Sequence, residues 1–142
     1  MSCFNNKILL FIQISYQNFR LDFITHSKRW GGCSATIVPT EDYVVWGAVW
    51  ELNECNIYTL DNQEGVADKL YFPLMVDIET LTGKILKCRV YQQCNNPNEH
   101  IKLRLLPKHR RPSPLYLYVN LILLNLLEIY YIINYSFTEK QY

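Results

Sequence analysis

The sequence predicts an α+β fold, a small mixed or antiparallel β-barrel with short helices. Two observations predict it. Five short segments between residues 18 and 91 have the apolar patterning of strands, and one short segment among them has the periodicity of a helix. The chain has 142 residues, of which 49% are hydrophobic, and this is enough for one domain with one core.

The first three predicted strands differ in how many faces they bury. Residues 18–23 alternate between polar and apolar side chains, which indicates a half-buried strand. Residues 35–38 form a second strand. Residues 44–50 form a third that is apolar on both faces, as expected of a central strand.

The last two predicted strands form a hairpin. Residues 70–78 and 85–91 are rich in apolar side chains, and the segment 81–83 between them ends in a glycine that favours a turn. Pro73 has no backbone N–H to donate, so its part of the strand is expected at a sheet edge or a bulge.

The helix is predicted between these two groups of strands, at residues 53–63. Asn53 is expected to cap its N-terminus, and Gly65 suits the left-handed turn that closes many helices. Residues three and four positions apart lie on one helical face, so one stripe facing the core contains Ile57, Leu60 and Glu64.

Glu64 is the candidate for chemistry because its carboxylate continues an apolar stripe. Burial disfavours the charged form, and the negative end of the helix dipole does the same, so both raise the pKa of Glu64. A carboxyl group tuned toward neutrality can accept a proton from one atom and return it to another, as general acid/base catalysis requires. The alternative is a solvated glutamate at a frayed helix end.

Several motifs then point to a known family by their order and spacing. They are NFRLDF at 18–23, WGG at 30–32, ATI at 35–37, VWGAVW at 45–50, LDNQEGV at 60–66 and CRVY at 88–91. Together they resemble the gamma-glutamylcyclotransferase family over about residues 18–116. The resemblance implies the small mixed β-barrel of that family.

The resemblance also implies a reaction and two site residues. Gamma-glutamyl amino acids would be the small-molecule substrates, cyclised without water to 5-oxoproline and a free amino acid, as part of glutathione metabolism. Glu64, in the Gln-Glu-Gly step, matches the family's proton shuttle. Tyr116, in PSPLY at 112–116, matches a tyrosine at the substrate pocket, although an ordinary aromatic entering an apolar segment explains it equally well. No metal or organic cofactor is expected, and a homodimer is left open.

The sequence divides into three parts on this basis: a divergent head at 1–17, a cyclotransferase-like domain at 18–116 and a divergent apolar tail at 117–142. Family members open with a strand and a Tyr-Gly-Ser-Asn loop that holds the glutamyl part of the substrate, and no such loop occurs here. The head is interpreted as a substitute first strand or an unstructured remnant. A signal peptide is disfavoured because residues 13–16 offer no small-residue cleavage site.

Three interpretations compete for the apolar stretch at 115–137. It is long enough for a membrane-spanning helix and follows a basic cluster, but a glutamate and two central asparagines disfavour membrane contact. A soluble amphipathic helix is disfavoured because no clean polar face appears. The favoured interpretation is alternative or mispredicted coding sequence, at this tail and also at the head.

Charge and cysteine content restrict the remaining function classes. A net charge of +1 gives no reason to expect nucleic-acid binding. The local basic run at 102–111 is predicted as a solvated loop because Pro107 and Pro112 bracket it, the alternative being contact with anionic groups. Five cysteines without a Cys-x-x-Cys pair indicate a reduced, cytoplasmic protein. A zinc site is disfavoured because no standard ligand spacing occurs among Cys88, Cys94, His100 and His109.

Two alternative functions remain open at this point. One is a related cyclotransferase acting on glutathione or on gamma-glutamylamines. The other is an inactive binding protein or an incomplete gene product, which the missing glycine-serine loop favours.

Overall fold

The computed structural model describes residues 13–51, 54–118 and 133–136. Strands β1 to β5 and helix α1 follow the chain as β1 (Gln13–Ser27), β2 (Gly32–Glu51), α1 (Ile57–Gln63), β3 (Tyr71–Thr80), β4 (Ile85–Gln93) and β5 (Ile133–Ser136). Short 3-10 helices occupy Glu54–Asn56, Leu103–Leu105 and Lys108–Arg110, and residues 114–118 are helical.

The strands form one sheet in the order β4-β3-β1-β2-β5. All neighbours are antiparallel except β2 and β5, which run parallel. The predicted α+β class is therefore confirmed. Within the described residues the strands are hydrogen-bonded as an open sheet, whereas a barrel was expected.

The two strands predicted at 35–38 and 44–50 are one strand, β2, and the prediction of a break between them was wrong. β1 pairs with β2 from both sides of the gap, with Gln17 opposite Val44 and Phe19 opposite Pro39. The extra residues on β2 bulge at this point, where Asn18 and Asp42 both adopt positive φ angles of 61° and 62°. A bulge absorbs such a register shift without ending the strand.

The predicted hairpin is confirmed as β3 and β4. β3 pairs with β1 only through Glu79 and Thr80, so the part of β3 around Pro73 pairs with β4 alone among the described residues. This agrees with the expected edge position of a proline that has no backbone N–H to donate.

Two apolar clusters determine where a site can form. One lies between α1 and the sheet and contains Leu60 and Tyr91, with Val66 and Tyr71 packed against them. Another joins β1 and β2 to the later chain and contains Phe23, Cys33 and Leu106, with Ala35, Ile101 and Tyr116 at its margin. The helix and Tyr116 thus each pack against the sheet through one of these clusters.

The segment after β4 is held to β1 by a buried ionic cluster. Asp22 Oδ1 lies 2.5 Å from Arg110 Nη2, and Asp22 Oδ2 lies 3.2 Å from Arg20 Nε. Arg20 also donates to Pro97 O at 3.0 Å. The basic run was predicted as a solvated loop, and this is wrong for Arg110, which is buried because it compensates the charge of Asp22.

The same segment approaches the start of β2 closely. Cys33 N donates to Arg111 O at 3.0 Å. A Cβ atom at Gly32 would overlap the backbone of Pro112 and Ser113. Glycine is therefore needed at this position for residues 111–113 to lie against the strand.

Several terminal predictions fall outside the described residues: the cap at Asn53, most of the head at 1–17 and most of the tail at 117–142. None of the helices in the described ranges is long and apolar enough to cross a membrane.

Candidate active site

A cavity of about 720 Å³ lies at one end of the β1–β2 hairpin. Its walls come from β1, β2 and the turn between them, from the end of α1, from the start of β3, from Tyr91 on β4 and from residues 116–117. Small-molecule sites in proteins typically occupy roughly 300–1,000 Å³. Both predicted site residues, Glu64 and Tyr116, line this cavity.

The end of α1 brings Glu64 to the cavity. Gly65 N donates to Asn62 O at 3.1 Å and Val66 N donates to Asp61 O at 2.9 Å, the two bonds of a Schellman motif. Gly65 has the positive φ of 66° that this motif requires, which confirms the helix end predicted there. Glu64 is the last residue before the turn, so the motif fixes where its side chain begins.

The Glu64 carboxyl group is mostly withdrawn from water. Burial raises its pKa from the ordinary value of 4.5 to about 7. Within the described part of the chain, no hydrogen bond or ion pair reaches this carboxyl group. A carboxyl group with this pKa is present in both protonation states near neutral pH.

Tyr71, which lines the cavity, forms a polar cluster with Gln93. They are direct cross-strand partners on β3 and β4, and Gln93 Nε2 donates to the Tyr71 hydroxyl at 2.9 Å. That hydroxyl lies 2.9 Å from both Ser34 Oγ and Ala35 O. Burial raises the pKa of Tyr71 to about 12, and the negative charge of nearby Glu64 adds to the rise. Tyr71 is thus a neutral hydrogen-bonding group.

Tyr116 is positioned from two sides. Its hydroxyl accepts a hydrogen bond from Ala35 N at 3.2 Å, and its ring meets Trp30 edge to face with centroids 5.1 Å apart. Ser113 Oγ accepts from Tyr116 N at 3.0 Å, as an N-cap residue does at the start of a helix.

A second polar cluster braces α1 against β4. Arg89 Nη2 lies 2.7 and 3.0 Å from the two carboxylate oxygens of Asp61, and the Tyr91 hydroxyl donates to Asp61 Oδ1 at 2.5 Å. Asp61 lies on α1 one turn before Glu64, while Tyr91 itself lines the cavity. These contacts therefore fix the position of α1, and with it Glu64, relative to β4.

Basic side chains from one turn contribute to the cavity wall. Lys28 and Arg29, in the turn between β1 and β2, line the cavity while remaining exposed, and His26 lies beside them. The Arg29 guanidinium lies 5.2 Å from the centroid of the Trp30 ring. Among the described lining residues Glu64 is the only acid.

Sequence reasoning missed most of these groups. Tyr71 and Tyr91 were predicted only as strand residues. Ser34 and Gln93 lay just outside the predicted strands at 35–38 and 85–91, whereas the structure places both on strands. What identifies these residues is a hydrogen bond to a residue on another strand, and such a bond can be predicted only when the strand register is known. The Lys28-Arg29 pair did carry a local signal, since two adjacent cations sit in a tight turn.

The zinc alternative finds no support in the arrangement. Cys88 is buried in β4 whereas Cys94 is exposed. Across the described ranges, no three His, Cys, Asp or Glu side chains are grouped so that they could hold a metal ion.

Comparison with known proteins supports the motif-based resemblance. The model of the AIG2-like family matches residues 44–123. The chain is 42% identical over 83 residues to the gamma-glutamylcyclotransferase of Bos taurus, which corresponds to 56% of this chain and 44% of that protein. The corresponding protein of Homo sapiens is 37% identical over 95 residues, or 64% of this chain and 50% of that protein. The chain thus spans about half the length of these relatives.

The fold comparison agrees. A solved structure of a gamma-glutamyl cyclotransferase superimposes with a TM-score of 0.69 and 28% sequence identity, over 84% of this chain and 66% of that one.

Proposed function

We propose that this chain, which belongs to the AIG2-like family, is a gamma-glutamylcyclotransferase acting on gamma-glutamyl amino acids. The observation that carries the proposal is the Glu64 carboxyl group, which lines a ligand-sized cavity and has a pKa raised to about 7 by burial. The named relatives support the reaction class, and the cavity supports a small-molecule substrate.

In the proposed reaction, the α-amine of the glutamyl group attacks the carbonyl carbon of its own side chain. A carbon–nitrogen bond forms to close the five-membered ring of 5-oxoproline, and the original amide carbon–nitrogen bond breaks. The amine is an ammonium at neutral pH and must first lose a proton, whereas the departing amine must gain one. Proximity favours the attack because both reacting groups belong to one molecule.

Glu64 would carry the proton between these two nitrogens. Its ionised form accepts the proton from the ammonium, and its neutral form delivers one to the departing amine. A pKa near the working pH serves both steps, because neither form is then scarce. The balance of the reaction calls for no oxidant or reductant.

Tyr116 would form part of the substrate-binding wall. Its ring meets Trp30 edge to face while its hydroxyl accepts a hydrogen bond from Ala35 N, so we propose that the substrate contacts the ring and its Trp30 neighbour. Tyr71, neutral and held by Gln93, offers a fixed polar atom in the same cavity. We further propose that the reaction takes place in the cytoplasm, where the free thiols expected from the sequence persist.

The test is release of 5-oxoproline from gamma-glutamyl-alanine by the purified chain and by its Glu64→Gln variant. Removing a general acid/base lowers the rate by roughly 10²- to 10⁴-fold, so we expect that loss in kcat. Glu99→Gln is the matched control, because Glu99 is exposed and lies outside the cavity. Near-normal turnover by Glu64→Gln, or no release by folded wild-type protein, would contradict the proposal.

A further inference from the structure

We propose that Lys28 and Arg29 form a carboxylate-binding subsite at the cavity opening, which selects gamma-glutamyl compounds whose departing group is an amino acid with a free carboxylate. The inference rests on the proposed function and deepens it, because it distinguishes gamma-glutamyl amino acids from gamma-glutamylamines that lack this carboxylate.

The cavity lining carries more positive than negative charge, as a ligand with a net negative charge requires. Lys28 and Arg29 both line the cavity, and Glu64 is the only acid among its described lining residues. None of the ion pairs formed by described residues involves either cation. A gamma-glutamyl amino acid carries two carboxylates and one ammonium, so its net negative charge complements two unpaired cations.

The position of the cations indicates which carboxylate they meet. The ammonium and carboxylate of the glutamyl group lie at the reacting end of the substrate, which the proposed reaction brings to the half-buried Glu64. Lys28 and Arg29 are exposed and so lie where the cavity opens to solvent. The departing amino acid must leave through that opening, and its carboxylate is the group that faces it.

Arg29 is also held in place for this contact. Its guanidinium carbon lies over the Trp30 ring, 5.2 Å from the ring centroid, and Trp30 in turn meets Tyr116 with ring centroids 5.1 Å apart. A cation–π contact of this kind uses the charge of the guanidinium and leaves its N–H donors able to bind a carboxylate. Trp30 thus connects Arg29 to Tyr116 in the cavity wall.

The kinetic test compares gamma-glutamyl-alanine with gamma-glutamyl-alaninamide, which lacks only the carboxylate charge of the departing group. We expect wild-type protein to show a KM roughly tenfold lower for the acid, as loss of one charge-assisted hydrogen bond implies. In a Lys28→Gln/Arg29→Gln double variant the two KM values should converge, while kcat changes by less than about twofold, because the contact is equally strong before and during reaction.

Lys84→Gln is the control, since Lys84 is an exposed cation in the β3–β4 turn, outside the cavity. It should retain the wild-type preference for the acid. A preference that survives in the double variant, or a wild-type chain that does not distinguish the two compounds, overturns the inference.

Calorimetric titration separates failure of the subsite from failure of the proposed reaction. The Glu64→Gln protein, or the wild type if it releases no 5-oxoproline, is titrated with the same two compounds. The subsite is supported, even without turnover, if gamma-glutamyl-alanine binds more tightly than its amide and this difference disappears when Lys28→Gln and Arg29→Gln are added. Equal binding of acid and amide, or binding of neither, overturns it whatever the turnover assay gives.

Discussion

At the scale of single residues, Glu64 lies at the end of a helix and in an apolar environment. The sequence predicted that its side chain points toward the core, because Glu64 shares a helical face with Ile57 and Leu60. The direction of its pKa shift followed as well, since burial penalises a charge wherever it occurs. The hydrogen bond between Tyr71 and Gln93 could not be predicted from the sequence. The two residues lie on different strands, and the register of those strands depends on residues far apart in the chain.

The raised pKa of Glu64 predicts a dependence of stability on pH. In the unfolded chain this carboxyl group returns to a pKa of 4.5, whereas in the folded protein it holds its proton up to about pH 7. Below pH 4.5 both states are protonated and folding bears no penalty from this group. As the pH rises from 4.5 to 7, the folded protein loses stability, by an amount on the order of 3 kcal/mol.

We therefore expect Glu64→Gln to be more stable than wild type at pH 8 and nearly equal to it at pH 4.5. Thermal unfolding of both proteins across this pH range measures the difference in Tm. A difference that is constant over the range, or that grows toward acid, would show that the carboxyl group is not desolvated in the folded protein.

At the scale of secondary-structure elements, the Schellman turn at the end of α1 connects local sequence to the site. It was predictable because glycine tolerates a positive φ, which is a property of one residue. The continuity of β2 was not predictable in the same way. Its bulge exists because β1 pairs on both sides of it, and the local sequence around Pro39 indicates only an interruption.

Gly65→Ala tests how strongly this turn is required. The substitution adds a left-handed alanine, which costs roughly 1–2 kcal/mol, and places a Cβ atom 2.7 Å from Leu70 Cδ1. Gly31→Ala is the matched control, because Gly31 has the same φ of 66° with nothing within 4 Å of the added atom. We expect urea denaturation to show a larger loss of stability for Gly65→Ala, and equal losses would mean that Leu70 moves aside freely.

At the scale of the whole molecule, the ionic cluster around Asp22 ties the two ends of the described domain together. Arg20 and Asp22 come from β1, and Arg110 comes from the segment that leads into Tyr116. Sequence composition placed Arg110 in a solvated basic loop, because the carboxylate that it neutralises lies far away along the chain.

Asp22→Asn is expected to destabilise the fold by about 3–5 kcal/mol, since two buried guanidinium groups then lose their counter-charge. Asp77→Asn is the matched control, because it removes an aspartate from the exposed pair with Lys87 and should change stability by less than about 1 kcal/mol. Chemical denaturation of both variants measures the two losses. Similar values for the two would indicate that water reaches Asp22.

The contact between Asp22 and Arg110 joins residues that are 88 positions apart. Loop closure over such a separation is slow compared with hairpin formation, because chain entropy must be lost before the contact is gained. The same closure lays residues 111–113 against β2 and brings Tyr116 to the cavity. Binding of a ligand that contacts Tyr116 therefore reports that β1 and the segment after β4 have met.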